Sequence, residues 1–363
     1  MDVNQKANLA AKSFRGLALR SGYVVEFLER NKHLSTYICT AIDPMSYTLL
    51  SSPLQGFTDF RFRNAFHKHF GGIDTFYSPY IRLNGKLVVK GSYERDILPE
   101  NNSTLEVIPQ VITNDPEEFL FVAKYVQQFG YKELNWNLGC PYPMVTNSGM
   151  GSGLICNPSR INEVLDLAHS QTDMIFSMKM RMGYAEPTEI LDVFPILEKY
   201  PLKNIAIHAR IGAQLYKGPT DLESFQKCVD QSPHTLYYNG DITSVEAWRK
   251  LQERFPSIKH WMIGRGLIAD PFLPSMIRAN TTEYPANRWE IFRAFHDELY
   301  EDYDAFLSGP TPIKMKMRGF WEYFAESFPD PHKTFKRIKK ANNPRAYWEA
   351  VETNFSLALA ETV

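Results

Sequence analysis

Short polar or glycine-containing segments follow several apolar runs of this 363-residue chain, and they contain the residue types that carry chemistry. A cysteine thiol can transfer a proton, and lysine, histidine and arginine side chains can hold an anion. Taken singly, each has an ordinary structural explanation: a helix cap, a buried thiol, a lysine reaching solvent or a core histidine. The segments are Pro53-Leu54-Gln55-Gly56, Gln110, Asn137-Leu138-Gly139-Cys140-Pro141, Lys179-Met180-Arg181, His208-Ala209-Arg210, Asn239-Gly240-Asp241 and Gly264-Arg265-Gly266.

Two of these segments have the composition of a phosphate-binding site. The glycines around Asn239 and Arg265 let backbone N–H groups approach an anion, and Arg265 adds a forked cationic donor. In barrels of alternating strands and helices, the loops after strands seven and eight often bind phosphate. A phosphorylated substrate and a phosphate-bearing cofactor fit this pattern equally well.

Helical patterns separate the apolar runs, so strands and helices alternate from residue 47 onward. Eight such units within 47–281 predict parallel strands with right-handed crossovers, and hence an α/β fold, a (β/α)8 TIM barrel. An open doubly wound sheet is the alternative, which the absence of Gly-x-Gly-x-x-Gly after the first strand disfavours. The predicted strands are Tyr47–Ser52, Asp74–Tyr80, Leu105–Val111, Glu133–Leu138, Met174–Met180, Asn204–Ala209, Leu236–Asn239 and Lys259–Ile263.

The predicted barrel occupies residues 45–283, and a small all-α domain is predicted at 284–363. The whole chain is nearly neutral, with 40 basic and 41 acidic residues, yet 309–345 holds nine basic residues against three acidic ones. This local charge of +6 is typical of a nucleic-acid-binding surface, although a solvated helix face has the same composition. Aromatic residues at helical spacing within 320–324 are more typical of a core than of a base-stacking platform.

The overall amino-acid composition excludes several classes of protein. At 44% hydrophobic and 22% charged residues, the chain is neither wholly disordered nor collagen-like. Its four cysteines lack metal-ligand spacing, so we expect reduced thiols, no metal and a cytoplasmic location. No apolar run of about 18 residues predicts a membrane span. We also expect a monomer.

Residues 1–44 are assigned no function by the sequence. Their excess of basic over acidic residues is similar to that of an organelle transit segment. Met45 directly precedes the first predicted strand, so a start site assigned too far upstream is equally consistent. A native extension with a helix around 17–28 is the third interpretation.

In chain order, six motifs resemble those of the tRNA-dihydrouridine synthases over roughly residues 47–345. Asn-x-Gly-Cys-Pro at a strand end is the most specific of them. The resemblance implies an FMN-dependent TIM barrel with a helical tRNA-binding domain, which reduces the C5=C6 bond of a D-loop uridine using NADPH or NADH. The motifs are Pro-x-x-Gly-x-Thr-Asp (53–59), Asn-x-Gly-Cys-Pro (137–141), Lys-x-Arg-x-Gly (179–183), His-x-Arg (208–210), Asn-Gly-Asp-Ile (239–242) and Gly-Arg-Gly (264–266).

The resemblance also implies roles for single residues. Cys140 would give a proton to C5 as general acid, while hydride from reduced flavin reaches C6. Lys179 and Gln110 would contact the flavin ring, where a cation stabilises the reduced, anionic form. The implied cofactor-binding set is Pro53, Leu54, Gln55, Gln110, Lys179, His208, Asn239, Gly240, Asp241, Gly264 and Arg265. The implied substrate-binding set is Asn137 and Arg181 at the uracil, and Lys314, Lys316, Arg318, Lys336 and Arg337 on the RNA.

The sequence departs from the family pattern at two positions. Leu54 stands where the family often has Met, and Pro143 stands where it often has a basic residue, which puts one substrate contact in doubt. The segment 313–318 looks most like the bacterial subgroup C, which modifies position 16 of the D-loop. The enzyme's target position is not otherwise indicated.

Two other functions remain compatible with these residues. An FMN-dependent barrel oxidoreductase for a free small molecule, of the dihydroorotate or enoate type, shares the phosphate site but does not need a basic helical domain. A non-enzymatic RNA-binding protein on a decayed barrel predicts a colourless preparation. The intact set of Cys140, Lys179, His208 and Arg265 counts against this last interpretation.

Overall fold

A computed structural model describes residues 47–83 and 85–361 of the chain. The expectations for residues 1–44 lie outside this part. The described residues contain nine short strands, all paired in parallel. They are β1 (Thr48–Ser51), β2 (Thr75–Tyr77), β3 (Val107–Ile108), β4 (Gln110–Val111), β5 (Glu133–Leu138), β6 (Ile175–Gly183), β7 (Ile205–Ile211), β8 (Leu236–Asn239) and β9 (His260–Ile263).

The strands form a closed barrel. Their order is β3-β2-β1-β9-β8-β7-β6-β5-β4, so the two ends of the sheet are β3 and β4, which Pro109 alone separates in the chain. Proline has no N–H to give to a strand ladder, which explains the break, while the Pro109 carbonyl accepts from Asn135 N at 2.9 Å. The third predicted strand is therefore split in two, and the (β/α)8 barrel is confirmed.

Helices surround the barrel and follow most strands. Three of these helices begin at a side-chain cap: Asp115 accepts from Glu117 N and Glu118 N, Asn157 from Arg160 N, and Ser244 from Ala247 N. The helices of this layer are Phe60–His69, Gly91–Arg95, Pro116–Gln127, Pro143–Thr146, Pro158–Gln171, Glu189–Leu197, Leu222–Gln231, Val245–Arg254, Arg265–Ala269 and Leu273–Ala279, with 3-10 turns at Pro99–Asn101, Gly151–Leu154 and Gly212–Gln214.

Some boundaries differ from expectation. β6 runs three residues beyond Met180, and the last helix of the barrel begins at Leu273 because Asp270 instead accepts from Phe272 N at 3.1 Å within a turn. The short helix Arg265–Ala269, directly after β9, was not expected from the sequence. Glycine at 264 and 266 obscured it, since glycine disfavours helix interiors.

The barrel interior has a polar side. Alternate residues of a strand face opposite sides, and on β5 the outward Leu134, Trp136 and Leu138 join the main apolar core. Their alternates on β5, and the inward residues of β6 and β7, are largely polar or charged. The inward residues of the other strands are largely apolar, and together with Ala206 of β7 they form a second cluster: Leu50, Tyr77, Ile108, Ala206, Tyr237 and Met262.

Four further helices of the described chain, with a 3-10 turn at Ala325–Ser327, follow the barrel; the first packs against helix Phe60–His69 and the second against helix Arg265–Ala269, and the last two pack on this pair. The four are Arg288–Phe306, Pro310–Phe324, Pro331–Lys340 and Pro344–Ala360. Phe320 stacks on Phe62 with ring centroids 5.7 Å apart, and Phe57 meets Tyr323 edge-on. From Tyr47 onward the chain forms one compact unit, and the boundary at 283 and 284 stays a prediction.

Within residues 47–83 and 85–361, no helix has the length and apolar character needed to cross a membrane.

Candidate active site

A cavity of about 540 Å³ opens at the carboxyl ends of the strands. The register brings inward side chains of neighbouring strands together: Arg181 pairs with His208 and His208 with Asn239, while Lys179 pairs with Asn137, which does not line the cavity. Of the eleven residues predicted to bind the cofactor, nine line this cavity, as does Arg181. The nine are Pro53, Leu54, Lys179, His208, Asn239, Gly240, Asp241, Gly264 and Arg265. Gln55 and Gln110 are not among its lining residues.

Two buried cations of the cavity, Lys179 and Arg181, form no ion pair with a carboxylate of the described residues. Burial, and then the charge of Arg181, lower the pKa of Lys179 to about 7, and no carboxylate of the described residues acts on it. Burial lowers the pKa of Arg181 to about 10, and its Nη2 is buried without a hydrogen-bond partner. Burial, followed by Arg181 and Lys179, keeps the pKa of His208 well below its usual range. Such a site favours an anion.

Two residues that sequence reasoning did not assign to the site organise its arginines. Arg210, buried inside β7, binds both carboxylate oxygens of Asp241, which also lies 3.4 Å from Arg265. Arg265 and Arg181 both lie over the Tyr216 ring, 4.5 and 5.2 Å from its centroid. The His-x-Arg motif was a signal for Arg210, whereas Tyr216 lies in an irregular loop that no pattern marks. Asp241 therefore positions arginines as well as lining the cavity.

The two glycines of the predicted phosphate loops differ in whether a side chain would fit at their positions. A Cβ atom at Gly264 would lie no closer than 3.7 Å to the atoms around it, so the backbone there is open to a ligand. At Gly240, whose φ is +140°, a Cβ atom would lie 2.8 Å from Thr220 Cγ2. Gly240 thus permits close packing of the loop itself, and Gly264 permits close approach from the cavity.

A row of hydrogen-bonded polar side chains runs inside the barrel toward Cys140. We call these five residues the polar row: Glu133, Ser177, Asn135, Gln110 and Asn137. Ser177 donates to Glu133 at 2.6 Å, Asn135 to Ser177 at 2.9 Å, Gln110 to Asn135 at 2.7 Å and Asn137 to Gln110 at 2.8 Å. Gln110 is fully buried in this row, with both ends of its amide occupied.

The polar row ends on the backbone of the cysteine loop. Asn137 Oδ1 accepts from Gly139 N at 3.0 Å and from Cys140 N at 2.9 Å. Asn137 therefore fixes the loop, and one amide N–H beyond its bond to Gln110 is available for a ligand. At the other end, Glu133 pairs with Lys203 at 2.6 Å.

Cys140 is 9% exposed and lies in a small apolar cluster. Its carbonyl accepts from both the backbone and the hydroxyl of Ser152, and a Cβ at Gly151 would lie 2.5 Å from that carbonyl. Only glycine fits at this point. The Tyr80 hydroxyl lies 4.0 Å from the sulfur, and sequence reasoning did not single out Tyr80.

The basic residues predicted to bind RNA lie in differing surroundings. Lys316 is not free for a phosphate, since its ammonium donates to Gly56 O at 2.8 Å and Asp59 at 3.1 Å. Arg337 donates to Asn354 at 3.0 Å, and Lys314 and Arg318 are half-buried. Lys336 is exposed on helix Pro331–Lys340, together with Lys333, Lys339 and Lys340; we call these four the basic face.

In the described part of the chain, no group of three or more His, Cys, Asp or Glu side chains is arranged to hold a metal ion. Cys156 is exposed and Cys228 is buried, and neither contributes to the cavity lining.

Known proteins resemble this chain over most of its length. A family model described as dihydrouridine synthase (Dus) matches residues 49–355. The probable tRNA-dihydrouridine synthase 2 of Bacillus subtilis is 28% identical over 287 residues, 74% of this chain and 84% of that protein. The tRNA-dihydrouridine(16) synthases of Pseudomonas putida and Cupriavidus necator are 24% and 25% identical, covering 80% and 67% of this chain and 92% and 77% of theirs.

Proposed function

Because the chain belongs to the dihydrouridine synthase family, we propose that it reduces the C5=C6 bond of a uridine in tRNA, with FMN as cofactor and NADPH or NADH as reductant. The relatives described above are named for this activity on tRNA. The observation that carries the proposal is the convergence of nine predicted residues around one cavity at the strand ends.

The cavity fits FMN on features of its own. Lys179 is an uncompensated buried ammonium and Arg181 has an unpartnered Nη2, both of which an anionic ligand would satisfy. The open backbone at Gly264 beside Arg265 suits the phosphate, and Lys179 suits the electron-rich edge of the ring. When bound and reduced, FMN supplies a hydride.

The chain's own residues would donate the proton and orient the base. Cys140 donates the proton that the uracil C5 needs, as general acid from a loop that the polar row holds in place. Asn137 and Arg181 orient the polar edge of the base, Asn137 with its free N–H and Arg181 with Nη2. Lys179 stays protonated beside the anionic cofactor, because that negative charge opposes the effect of burial on its pKa.

The base must leave its stack to reach this cavity, so the protein needs a grip on the rest of the RNA. We assign this RNA contact to the basic face on helix Pro331–Lys340, where the ammonium groups of Lys336, Lys339 and Lys340 are exposed and suited to phosphates, while Lys333 pairs with Asp330 at 2.9 Å. The half-buried Lys314 and Arg318 would add to it. Lys316 would instead anchor helix Pro310–Phe324 to the loop that carries Leu54.

The finer assignments extend the same proposal. Position 16 is the expected target, as the names of two of the relatives specify for those proteins. A tRNA substrate would place a monomeric enzyme in the cytoplasm.

An absorbance spectrum of the purified protein, together with nucleoside analysis of tRNA from a deletion strain, tests the proposal. We expect a flavin spectrum and loss of dihydrouridine at position 16. Loss at position 20 with 16 intact would reject the position alone. A flavin-containing protein that ignores tRNA would favour the small-molecule oxidoreductase, and a colourless one would favour the RNA-binding protein.

A further inference from the structure

The Tyr80 hydroxyl faces the sulfur of Cys140. The two atoms are 4.0 Å apart, the outer limit of a hydrogen bond to sulfur. Tyr80 lies in the loop after β2 and Cys140 in the loop after β5, so the contact joins two loops at the same end of the barrel. Within the described residues, this hydroxyl is the one side-chain group at hydrogen-bonding distance from the Cys140 sulfur.

The surroundings of the sulfur make this contact significant. Ile112, Val145 and Met150 form the apolar cluster around Cys140, and the Tyr80 ring packs against it. A neutral thiol can be buried in such a cluster at little cost, but a thiolate there lacks the water that would solvate its charge. A general acid at Cys140 becomes a thiolate in every turnover. The charges of Lys179 and Arg181 act on that thiolate without a hydrogen bond to the sulfur, and the Tyr80 hydroxyl is placed to donate to it directly.

We propose that Tyr80 is a second catalytic residue, whose hydroxyl donates to the Cys140 sulfur while the thiol gives its proton to the substrate. The proposal rests on the function proposed above. In that step the S–H bond breaks, a C5–H bond forms and the S–H electron pair stays on sulfur. The ring is reduced by the hydride delivered to C6, which the reduced cofactor supplies.

The hydroxyl acts at the moment when negative charge develops. A hydrogen bond to a thiol is weak, and a hydrogen bond to a thiolate is charge-assisted and stronger. Tyr80 therefore stabilises the transition state more than the bound substrate, which lowers the barrier. Burial, followed by the nearby Cys140, raises the pKa of Tyr80 well above its usual value, so the phenol keeps its proton and serves as a donor.

The variant Tyr80→Phe removes this hydroxyl and keeps the ring. We expect dihydrouridine formation in a single turnover to slow by about tenfold, the effect of one hydrogen bond to a charged group. Bound FMN and its reduction by NADPH should not change. In a Cys140→Ala background the same substitution should have no further effect, because the hydroxyl acts through the sulfur.

A second measurement separates this role from a structural one. Alkylation of Cys140 by iodoacetamide, followed by peptide mass spectrometry over a range of pH, reports the thiolate fraction. Losing a donor to the thiolate raises the thiol pKa, so the profile of Cys140 should move to higher pH in Tyr80→Phe. The exposed Cys156 is alkylated in the same sample, and its profile should stay fixed.

The matched control is Tyr200→Phe, which removes a hydroxyl that donates to Asn162 on the outer layer of the barrel. It should leave both the rate and the Cys140 profile at wild-type values. An unshifted Cys140 profile in Tyr80→Phe, or an unchanged single-turnover rate, would overturn the role of Tyr80. Wild-type protein that forms no dihydrouridine would overturn the proposed function instead, and the alkylation profile would then decide the Tyr80 contact by itself.

Discussion

The cations of the cavity and those of the basic face lie in opposite surroundings. In the cavity, Lys179 and Arg181 are buried side by side, and burial lowers the pKa of both. On helix Pro331–Lys340, Lys336, Lys339 and Lys340 are exposed, and the neighbouring Thr334 and Ile338 anchor the helix by burying its other side.

The difference teaches what each set is suited to bind. Buried cations interact strongly with a ligand that replaces water, and dissolved salt screens them weakly. Exposed cations contribute little to folding, yet they attract a polyanion over a distance and lose that attraction as salt rises. The cavity should therefore control chemistry and cofactor retention, and the basic face should control RNA affinity.

The largest expected effect is from the variant Cys140→Ala; Cys140 does not itself line the cavity, but its neighbour Gly139 does. Dihydrouridine formation should fall by at least about 100-fold, the scale of general acid catalysis, and this loss should be the same at low and high salt. FMN binding and NADPH oxidation should persist. Nucleoside mass spectrometry of tRNA measures the product, with Cys156→Ala as the control thiol. Wild-type product yield in Cys140→Ala would remove the cysteine from the mechanism.

A smaller loss is expected from Arg265→Ala, which removes the forked donor beside Gly264. FMN should bind about 10- to 100-fold more weakly, since one hydrogen-bonded charge is lost. The ratio of flavin to protein absorbance and a fluorescence titration measure this change. Arg254→Ala, which breaks an exposed ion pair with Glu223 on the outer layer, is the control. Equal flavin retention in the two variants would contradict the phosphate site.

The pH dependence of cofactor binding should follow Lys179. Its pKa is lowered to about 7, so the ammonium is protonated below that pH and increasingly neutral above it. An anionic ligand prefers the protonated form, so FMN affinity should fall by up to about tenfold for each pH unit above 7. Lys179→Met should lack this part of the dependence. Identical pH profiles for Lys179→Met and wild type would show that the ammonium does not face the cofactor.

The smallest effect should come from the basic face. Replacing Lys336, Lys339 and Lys340 together by Gln should raise the KM for tRNA several-fold, with kcat unchanged. The slope of log affinity against log salt should fall by about one for each lysine that no longer neutralises a phosphate. Lys316→Gln is the contrasting variant. Because Gly56 and Asp59 already bind the Lys316 ammonium, this substitution should not change the slope of log affinity against log salt. An unaltered slope in the triple variant would place the RNA elsewhere.

The barrel could be predicted because its signals are local. Alternating apolar runs, capping residues such as Asp115 and the turn glycines each act within a few residues, and they place every strand to within a few positions. The convergence of Lys179, His208 and Arg265 then follows from the fold, since the carboxyl ends of parallel strands meet. Assigning chemistry to Cys140 needed the resemblance to a family, because a lone buried thiol is ordinary.

The parts of the site that could not be predicted depend on contacts between segments distant in the sequence. Tyr80 and Tyr216 lie in loops whose course no periodicity describes, and each acquires its role only from the residues beside it in space. Lys316 has the sequence surroundings of an RNA-binding lysine, but folding places Gly56 and Asp59, some 260 residues earlier, around its ammonium. The number of charged residues could be counted from the sequence, but which of their charges are free to bind RNA could not be predicted from it.

The polar row from Glu133 to Asn137 can run in one direction only. A carboxylate only accepts, so Ser177 must donate to it, and the orientation of each following amide is then fixed up to the Cys140 loop. Changing Asn135 or Gln110 to the corresponding acid would put two acceptors face to face and interrupt the row at that point. Its members lie on three strands but depend on one another, so a substitution near Glu133 would alter the hydrogen bonds that hold the Cys140 loop.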